Sequence, residues 1–379
     1  MRILVVGDIH LHHHAQAALR RDMAQLIRES SGAIVLSGDV YDLAAAGHGP
    51  VLERLEAIAT YHREVHDALA AATAAGRSVT LIPGNHDMEM ADLAASAWFT
   101  ARTGGKVVPW FHRIAGTTPA EALAHIEHGS QYDPDNAHPH PLASSGDPLG
   151  VLITRRIVSH LGDLRLLPHN DNTPLPLLIK CFANYGMRTP RMVARYIWTG
   201  VALTARGARG LSTAHALGRS QESAQADGAM LSTSSVRDLA ALSVTPRRAN
   251  RWPLIRRMYL DRIAATAVVA GVGIGVVIGV VTLSPLSAVG GAIAAAFLLP
   301  NRYRGKVAEQ LAQAAEQIAV IAPARWVIMG HAHEPRAEGR YLNTGSFGVP
   351  SHGQRTYVEI DDAGAAHLRA FVASKDCGG

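Results

Sequence analysis

Polar segments rich in Asp, His and Asn occur at five places in this chain of 379 residues. Each lies at or next to the end of an apolar run typical of a buried strand, and most contain a glycine. The segments are Asp8-Ile9-His10, Gly38-Asp39-Val40-Tyr41-Asp42, Gly84-Asn85-His86-Asp87, Glu127-His128-Gly129 and Gly330-His331-Ala332-His333. Carboxylate, imidazole and amide donors without cysteine suit a hard or borderline divalent ion such as Mn²⁺, Fe²⁺ or Zn²⁺. The sequence therefore predicts a metal centre assembled from five loops.

The spacing within two of these segments predicts how they act. In extended backbone, residues i and i+2 point to the same side. Asp8 with His10, and His331 with His333, are therefore each expected to grip one ion.

Strand-like and helix-like patterns alternate along the first 90 residues. Apolar runs at 1–7, 33–37 and 78–83 predict strands, and the stretches 16–30 and 51–75 have the spacing of amphipathic helices. This alternation favours an α/β sheet with helices packed outside it. Loops at the carboxyl ends of such strands are the usual place for a binding site.

The order of the five segments resembles the calcineurin-like metallophosphoesterase superfamily. The resemblance covers roughly residues 1–135 and 320–375 and implies a four-layer α/β/β/α sandwich that hydrolyses phosphoesters. Residues 330–335 and 341–346 look closer to the bacterial UDP-2,3-diacylglucosamine hydrolase branch, which cleaves a pyrophosphate in a lipid-linked sugar nucleotide. Ser130 departs from that branch, which usually has Asp directly after His-Gly.

The resemblance also implies a role for each motif residue. The residues that would hold two divalent ions are Asp8, His10, Asp39, Asn85, His128, His331 and His333. Asp39 would be shared, with Asp8, His10 and His333 on one ion and the remaining three residues on the other. His86 would act on the leaving oxygen as an acid or electrostatic stabiliser, Asp87 would orient His86, and Asp42 would lie behind the ligands. The expected cofactor is a pair of Mn²⁺ ions, with Fe²⁺ or Zn²⁺ as alternatives.

Several nearby histidines are rival ligands. His125, His138 and His140 are alternatives to His128, which is preferred because it alone ends an apolar run and precedes a glycine. In the histidine-rich run 10–14, only His10 is predicted to be a ligand, and the others are expected to be solvated at a helix start.

The stretch 129–150 is rich in Pro, His, Asp and Ser, which predicts a loop. Tyr132, Asp133 and Asn136 follow His128-Gly129 in a pattern similar to a His-Gly-x-x-Tyr-Asp segment found in parts of the superfamily.

Residues 150–262 are expected to form a helical cap inserted into the catalytic part. Helical spacing predicts helices over 151–167 and 190–205. Residues 212–235 contain few large apolar side chains and are expected to form a flexible link.

Residues 263–300 contain no Asp, Glu, Lys, Arg or His. The piece 263–283 is long enough to cross a hydrocarbon core of about 30 Å as a helix. Gly271, Gly275 and Gly279 form two Gly-x-x-x-Gly steps, which allow close helix packing in lipid. Basic, aromatic-bearing flanks on both sides predict that both ends face the cytoplasm. We therefore expect a spanning or re-entrant membrane hairpin, with a soluble core hairpin as the alternative.

The composition and the start of the chain also predict where in the cell the protein is located. Two cysteines, Cys181 and Cys377, are too few for a disulfide framework and fit a reducing compartment. The chain begins directly with the first strand, so the catalytic part is expected at the cytoplasmic face of the cell membrane. The formal net charge of +5 is concentrated beside the apolar stretch, which favours a membrane over nucleic acid as partner. The predicted divisions of the chain are 1–149, 150–262, 263–300 and 301–379.

These inferences predict a membrane-associated dimetal phosphohydrolase that acts on a lipid-linked substrate. The alternative is a dimetal phosphodiesterase for soluble nucleotides or phosphodiesters that is only tethered to the membrane. A non-catalytic scaffold is the third hypothesis.

Overall fold

The computed structural model describes residues 2–13, 15–118, 121–157, 181–264, 307–350 and 353–373. The strands in chain order are β1 Ile3–Val6, β2 Ala33–Ser37, β3 Val79–Ile82, β4 Lys106–Val107, β5 Phe111–Ile114, β6 Ala122–Glu127, β7 Ala324–Met329, β8 Arg336–Glu338, β9 Tyr341–Asn343, β10 Thr356–Ile360 and β11 Ala366–Ala370. The α-helices are α1 Ala17–Glu29, α2 Val51–Tyr61, α3 Arg63–Ala74, α4 Leu93–Thr103, α5 Leu149–Arg156, α6 Thr189–Arg206, α7 Leu211–Ser220, α8 Glu222–Ala229, α9 Thr233–Ala241, α10 Arg251–Arg257 and α11 Val307–Ile321.

The strands form two mixed sheets. The first has the order β11-β10-β1-β2-β3-β4, in which β1 to β4 are parallel, β10 is antiparallel to β1, and β11 is antiparallel to β10. The second has the order β5-β6-β7-β9-β8, with β6, β7 and β9 parallel. Parallel strands end at the same edge of a sheet, so the loops after β1, β2 and β3 meet, as do those after β6 and β7.

Strand alternation packs the two sheets against each other. Val5 and Val35 on the first sheet join Ile126 and Ile328 on the second in one buried cluster. Their sequence neighbours, such as Leu36, face the opposite side because successive side chains alternate across a strand.

Helices cover both outer faces. Leu36 packs with Met23 of α1 and Phe99 of α4 on the first sheet. Val327 of the second sheet packs with Leu239 of α9 and Ile318 of α11. The layers therefore run helix, sheet, sheet, helix, and the predicted mixed α/β class with two sheets is confirmed.

The chain divides into two compact units. The first comprises Met1–Asp163, Gly210–Pro246 and Val307–Gly379, and it contains both sheets. The second comprises Leu164–Arg209 and Arg247–Lys306, where α6 and α10 contact each other. This division differs from the predicted one because residues 210–246 belong with the sheets.

The prediction of a flexible link over 212–235 is wrong. Most of these residues lie in α7, α8 and the start of α9. Ala226 and Ala229 are buried in the outer cluster of the second sheet, next to Val236. The scarcity of large apolar residues misled the prediction, because alanine forms helix well and packs closely against a sheet.

The predicted cap helices are found in part. The helix expected over 190–205 is present as α6, and α5 covers the beginning of the one expected over 151–167. Residues 158–167 and 265–300, the latter carrying nearly all of the predicted hairpin, lie outside the described residues. Within the described ranges, no helix combines the length and the apolar character that a membrane crossing requires.

His12 is buried, contrary to the prediction that it is solvated. It is 8% exposed, and its carbonyl oxygen lies 2.9 Å from His62 Nε2. The segment after β1 runs through the interior before α1 begins, so this part of the histidine run supports the fold. His13 is exposed, and His14 lies outside the described residues.

Candidate metal centre

Five predicted ligands have left-handed backbone conformations. Asp8, His10, Asp39, His331 and His333 have φ between 49° and 65°. Such residues cost about 1–3 kcal/mol each and persist where surrounding structure enforces them, commonly at functional sites.

Backbone hydrogen bonds between neighbouring loops enforce two of these turns. Asp8 N donates to Gly38 O at 3.0 Å, and His10 N donates to Asp39 O at 2.8 Å. The prediction that extended backbone aims these pairs is therefore wrong. Tight turns at the strand ends aim the side chains, and they send His331 and His333 to different partners.

The first group of donor atoms comes from Asp8, His10 and His333. His333 Nε2 lies 3.0 Å from Asp8 Oδ1 and 3.3 Å from His10 Nε2. Donor atoms on a common ion with bonds of about 2.1 Å are roughly 3.0–3.4 Å apart, so this spacing fits one ion. Asp8 Oδ1 is buried and faces the His333 imidazole. Asp8 Oδ2 accepts from the His331 backbone N–H at 2.9 Å, which fixes the carboxylate.

The second group of donor atoms is built on His128. Its Nε2 lies 3.1 Å from Asn85 Oδ1 and 3.5 Å from Asp39 Oδ2. Its Nδ1 faces the Ser37 carbonyl oxygen at 3.3 Å. Donation from Nδ1 to a carbonyl leaves the Nε2 lone pair for a metal ion, an arrangement usual for histidine ligands. The ring of His331 lies 5.1 Å from that of His128.

Asp39 lies between the two groups. Its Oδ2 is 3.9 Å from His10 Nε2 and 3.5 Å from His128 Nε2. Its Oδ1 accepts from the His86 backbone N–H at 2.8 Å, which holds the carboxylate in place. This position suits a carboxylate that touches two ions.

Among the residues that the structure describes, three sets of carboxylate and imidazole donors have their atoms within 4.8 Å of one another. They are Asp8–His10–His333, His10–Asp39–His86 and Asp8–Asp39–His128. Asp8, His10 and Asp39 each occur in two of them, so the sets are contiguous. Their oxygen and nitrogen donors, among them the buried Asp8 Oδ1, fit divalent ions of the Mn²⁺, Fe²⁺ and Zn²⁺ type.

The electrostatics of the site favour positive charge. Burial by itself raises the pKa of Asp39, but His128 and His86 outweigh it and hold that pKa well below its usual range. Burial lowers the pKa of His128, and Asp39 outweighs it to raise the value to about 9. The buried carboxylates thus require cationic partners, a demand that two divalent ions would meet.

Asp42, rather than Asp87, contacts the His86 ring. Asp42 Oδ1 lies 2.8 Å from His86 Nδ1, and Asp42 Oδ2 lies 3.4 Å from His10 Nδ1. Burial lowers the pKa of His86, but Asp42 and Asp39 raise it to about 10. His86 is therefore held through Nδ1, which leaves Nε2 as its other ring nitrogen.

Asp87 has a different role from the one predicted. Its carboxylate accepts hydrogen bonds from four backbone N–H groups, those of Gly84, Asp39, Val40 and Tyr41 at 2.6, 3.2, 2.8 and 3.1 Å. The side chain therefore ties the loop after β2 to the loop after β3. The prediction that it orients His86 is wrong because these bonds occupy its oxygens.

The rival histidines lie with other partners. His125 is fully buried, stacked on Phe111 and 3.6 Å from Glu127. His140 Nε2 lies 3.3 Å from Glu222 Oε1. His138 lines a small cavity that His128 also borders. The role of His128 as a ligand stays a prediction, and the donor geometry described above supports it.

Two residues near the site were not assigned a role from the sequence. Asp133 Oδ2 lies 3.1 Å from His331 Nε2, and Asn136 Oδ1 lies 3.2 Å from Asn85 Nδ2. The His-Gly-x-x-Tyr-Asp pattern marked their position, but no spacing rule connects residue 133 with residue 331.

Comparison with known families agrees with this geometry. Residues 1–180 match the family described as calcineurin-like phosphoesterase. That match contains the first four motifs, and the fold brings His333, from beyond it, to within 3.0 Å of Asp8. A search of curated proteins found no match. Residues 1–180 therefore carry a calcineurin-like phosphoesterase domain, and the protein is a metal-dependent phosphoesterase.

Proposed function

We propose that this protein is a membrane-associated dimetal phosphohydrolase that cleaves a phosphoester or pyrophosphate bond in a lipid-linked substrate. The observation that carries the hydrolytic part is the position of Asp39 between two groups of donor atoms. A carboxylate 3.5 Å from His128 Nε2 and 3.9 Å from His10 Nε2 can hold two ions side by side.

The roles of the chain's own residues follow from these positions. When bound, two divalent ions would supply an activated water and neutralise charge on the phosphoryl group. Asp8, His10 and His333 would hold one ion, and Asn85, His128 and His331 the other. Asp39 would keep them adjacent.

His86 would assist departure of the leaving group. Asp42 fixes its Nδ1, so Nε2 is the nitrogen available to a substrate. The side chain is 11% exposed, which allows access while excluding most water. A protonated imidazole at this position can donate its Nε2 proton to the leaving oxygen.

Membrane association is proposed from the second compact unit and the apolar stretch that follows its described residues. Met187 is 86% exposed, Trp198 73% and Trp252 60%. Residues 246–262 contain six arginines and one acid. Exposed tryptophan beside arginine is typical of a surface that meets anionic lipid headgroups. These features precede the uncharged residues 263–300 and support a lipid-linked substrate.

A second candidate is a phosphodiesterase for soluble nucleotides that is only tethered to the membrane. Ser130 favours it, because the lipid-substrate branch usually has an Asp at this position. Ser130 is buried two residues from His128, where an altered side chain would change what the site accepts.

Activity of the purified full-length protein tests both candidates. Hydrolysis of a lipid-linked sugar nucleotide and of bis(p-nitrophenyl) phosphate is measured with Mn²⁺, using Asp39→Ala as the background control. The proposal predicts activity on both, with the larger kcat/KM for the lipid-linked compound. Efficient cleavage of soluble diesters alone would favour the second candidate, and no activity above background on any phosphoester would contradict both.

A further inference from the structure

The loop after β6 contacts two predicted ligands of the second ion from outside the metal centre. Asp133 contacts His331 and Asn136 contacts Asn85, at the distances given above. Asn136 Nδ2 also donates to Asp133 Oδ2 at 2.7 Å. The four side chains form a continuous chain of hydrogen bonds that ends on a ligand at each side.

The contact with Asp133 decides which nitrogen of His331 is free. A carboxylate oxygen only accepts, so His331 Nε2 must carry the proton that it donates to Asp133 Oδ2. A neutral imidazole with a protonated Nε2 keeps its lone pair on Nδ1. Asp133 thus selects Nδ1 as the ligating atom, in the way that carboxylates commonly fix metal-binding histidines.

The contact with Asn136 decides how Asn85 is turned. Asn136 Oδ1 accepts from Asn85 Nδ2, which points the Asn85 amide nitrogen away from the donor group. Asn85 Oδ1 is then left 3.1 Å from His128 Nε2. The amide oxygen, which is the atom that can ligate a metal, is therefore presented to the second group of donors.

The loop holds both contact residues in a fixed turn. Asp133 Oδ1 accepts from the Asp135 backbone N–H at 2.9 Å. The Asp133 carbonyl accepts from the N–H groups of Asn136 and Ala137 at 2.9 and 2.7 Å. Asp133 is 3% exposed, so its contacts are shielded from water. The loop's own hydrogen bonds therefore hold the turn.

We propose that Asp133 and Asn136 are positioning residues for the second ion, fixing His331 to ligate through Nδ1 and Asn85 through Oδ1. They touch the ligands and not the reacting atoms. The inference rests on the proposed dimetal function, which it deepens by explaining how the second ion is held.

Manganese titration of the metal-free full-length protein, followed by electron paramagnetic resonance, tests the proposal. The spectrum separates free Mn²⁺, single bound ions and coupled pairs. Asp133→Ala and Asn136→Ala should each weaken the second binding step by about 10–100-fold and reduce the coupled-pair signal, with the first step unchanged. Asp133→Asn keeps the size and one acceptor oxygen, so it should restore part of the affinity lost in Asp133→Ala.

Glu222→Gln is the matched control. It alters a buried carboxylate–histidine contact with the same loop, through His140 at 3.3 Å, but touches no predicted ligand. It should leave both binding steps at their wild-type affinities even where it lowers thermal stability. If Asp133→Ala and Asn136→Ala both bind the second ion with wild-type affinity, the proposal is overturned. Equal loss of both steps in these variants and in Glu222→Gln would also overturn it, since that result indicates general damage to the fold.

The same titration distinguishes failure of the underlying function. If the wild-type protein binds a single ion and never shows a coupled pair, the dimetal function is wrong and this inference falls with it. If wild-type binds the pair and the Asp133 and Asn136 variants do too, only this inference fails.

Discussion

His86 Nδ1 and Asp42 Oδ1 lie 2.8 Å apart beside the two groups of metal donors. Asp42 is 1% exposed, so this contact is screened little by solvent. The pair leaves His86 with one nitrogen committed to the protein and one available to a substrate. The site thus combines donors that can hold metal ions with a separate group, His86, that can donate a proton to a leaving group.

Replacement of His86 should separate catalysis from metal binding. We expect His86→Ala to retain both ions and lose about 10²–10⁴-fold in rate, the range for a positioned acid–base group. The loss should be smaller for nitrophenyl esters, whose leaving groups need little protonation. This prediction is checked by measuring hydrolysis rates on substrates with good and with poor leaving groups, together with the metal content of the same samples. Equal losses on both substrate types would show that His86 does not assist departure.

Gly38 should be required for tight binding of the second ion. Its φ is +88°, and a Cβ there would lie 2.2 Å from His128 Nδ1. Gly38→Ala should therefore displace His128 and weaken the second ion by about 10-fold or more, on the scale of disrupted metal surroundings. Gly47→Ala is the matched control, because Gly47 has the same φ of +88° and nothing within 4 Å of its Cβ position. Metal titration of both variants measures their affinity for the second ion. An equal loss of affinity in both would show that backbone strain, and not the clash with His128, weakens binding.

Asp87 should matter for stability more than for chemistry. Its carboxylate accepts four backbone hydrogen bonds in the interior. Each buried N–H that loses its acceptor costs about 1–3 kcal/mol, so Asp87→Ala should be strongly destabilised even without metal. Denaturant unfolding of the metal-free protein measures this, with exposed Asp92→Ala as the control. A free energy of unfolding equal to that of Asp92→Ala would contradict the assigned role.

The apolar stretch 263–300 should anchor the protein. We expect the wild-type protein to stay in the membrane pellet after carbonate washing and to need detergent for extraction, because this segment has no ionisable side chain. Replacing it with a short Gly/Ser link should release the protein while preserving hydrolysis of a soluble diester. A wild-type protein that is monodisperse without detergent would show that the segment is a core element instead.

The sequence predicted several strands of the two sheets, and most of the predicted ligands lie in the three sets of neighbouring donors. Apolar runs such as 33–37 are long and bounded by glycine, so their strands were predictable. The donor types also identified the chemistry, since Asp, His and Asn in five loops leave few alternatives to a metal centre.

The local conformations were not predictable. Left-handed backbone at Asp8 and His331 depends on bonds to distant segments, which spacing along the chain does not show. The same is true of Asp87, whose partners are backbone groups, and of Asp133, which meets His331 only in the folded sheet. Residue identity therefore predicted the chemistry, whereas tertiary contacts determine which nitrogen or oxygen carries it out.

The metal content and activity of Asp39→Ala show whether this carboxylate holds two ions. Wild-type protein, Asp39→Ala and the exposed control Asp67→Ala are purified, reloaded with Mn²⁺ and assayed on bis(p-nitrophenyl) phosphate. Because Asp39 lies between both donor groups, Asp39→Ala should lose at least one equivalent of metal and all measurable hydrolysis, whereas Asp67→Ala keeps two equivalents and full activity. An Asp39→Ala protein that retains two ions and wild-type hydrolysis would contradict the dimetal account.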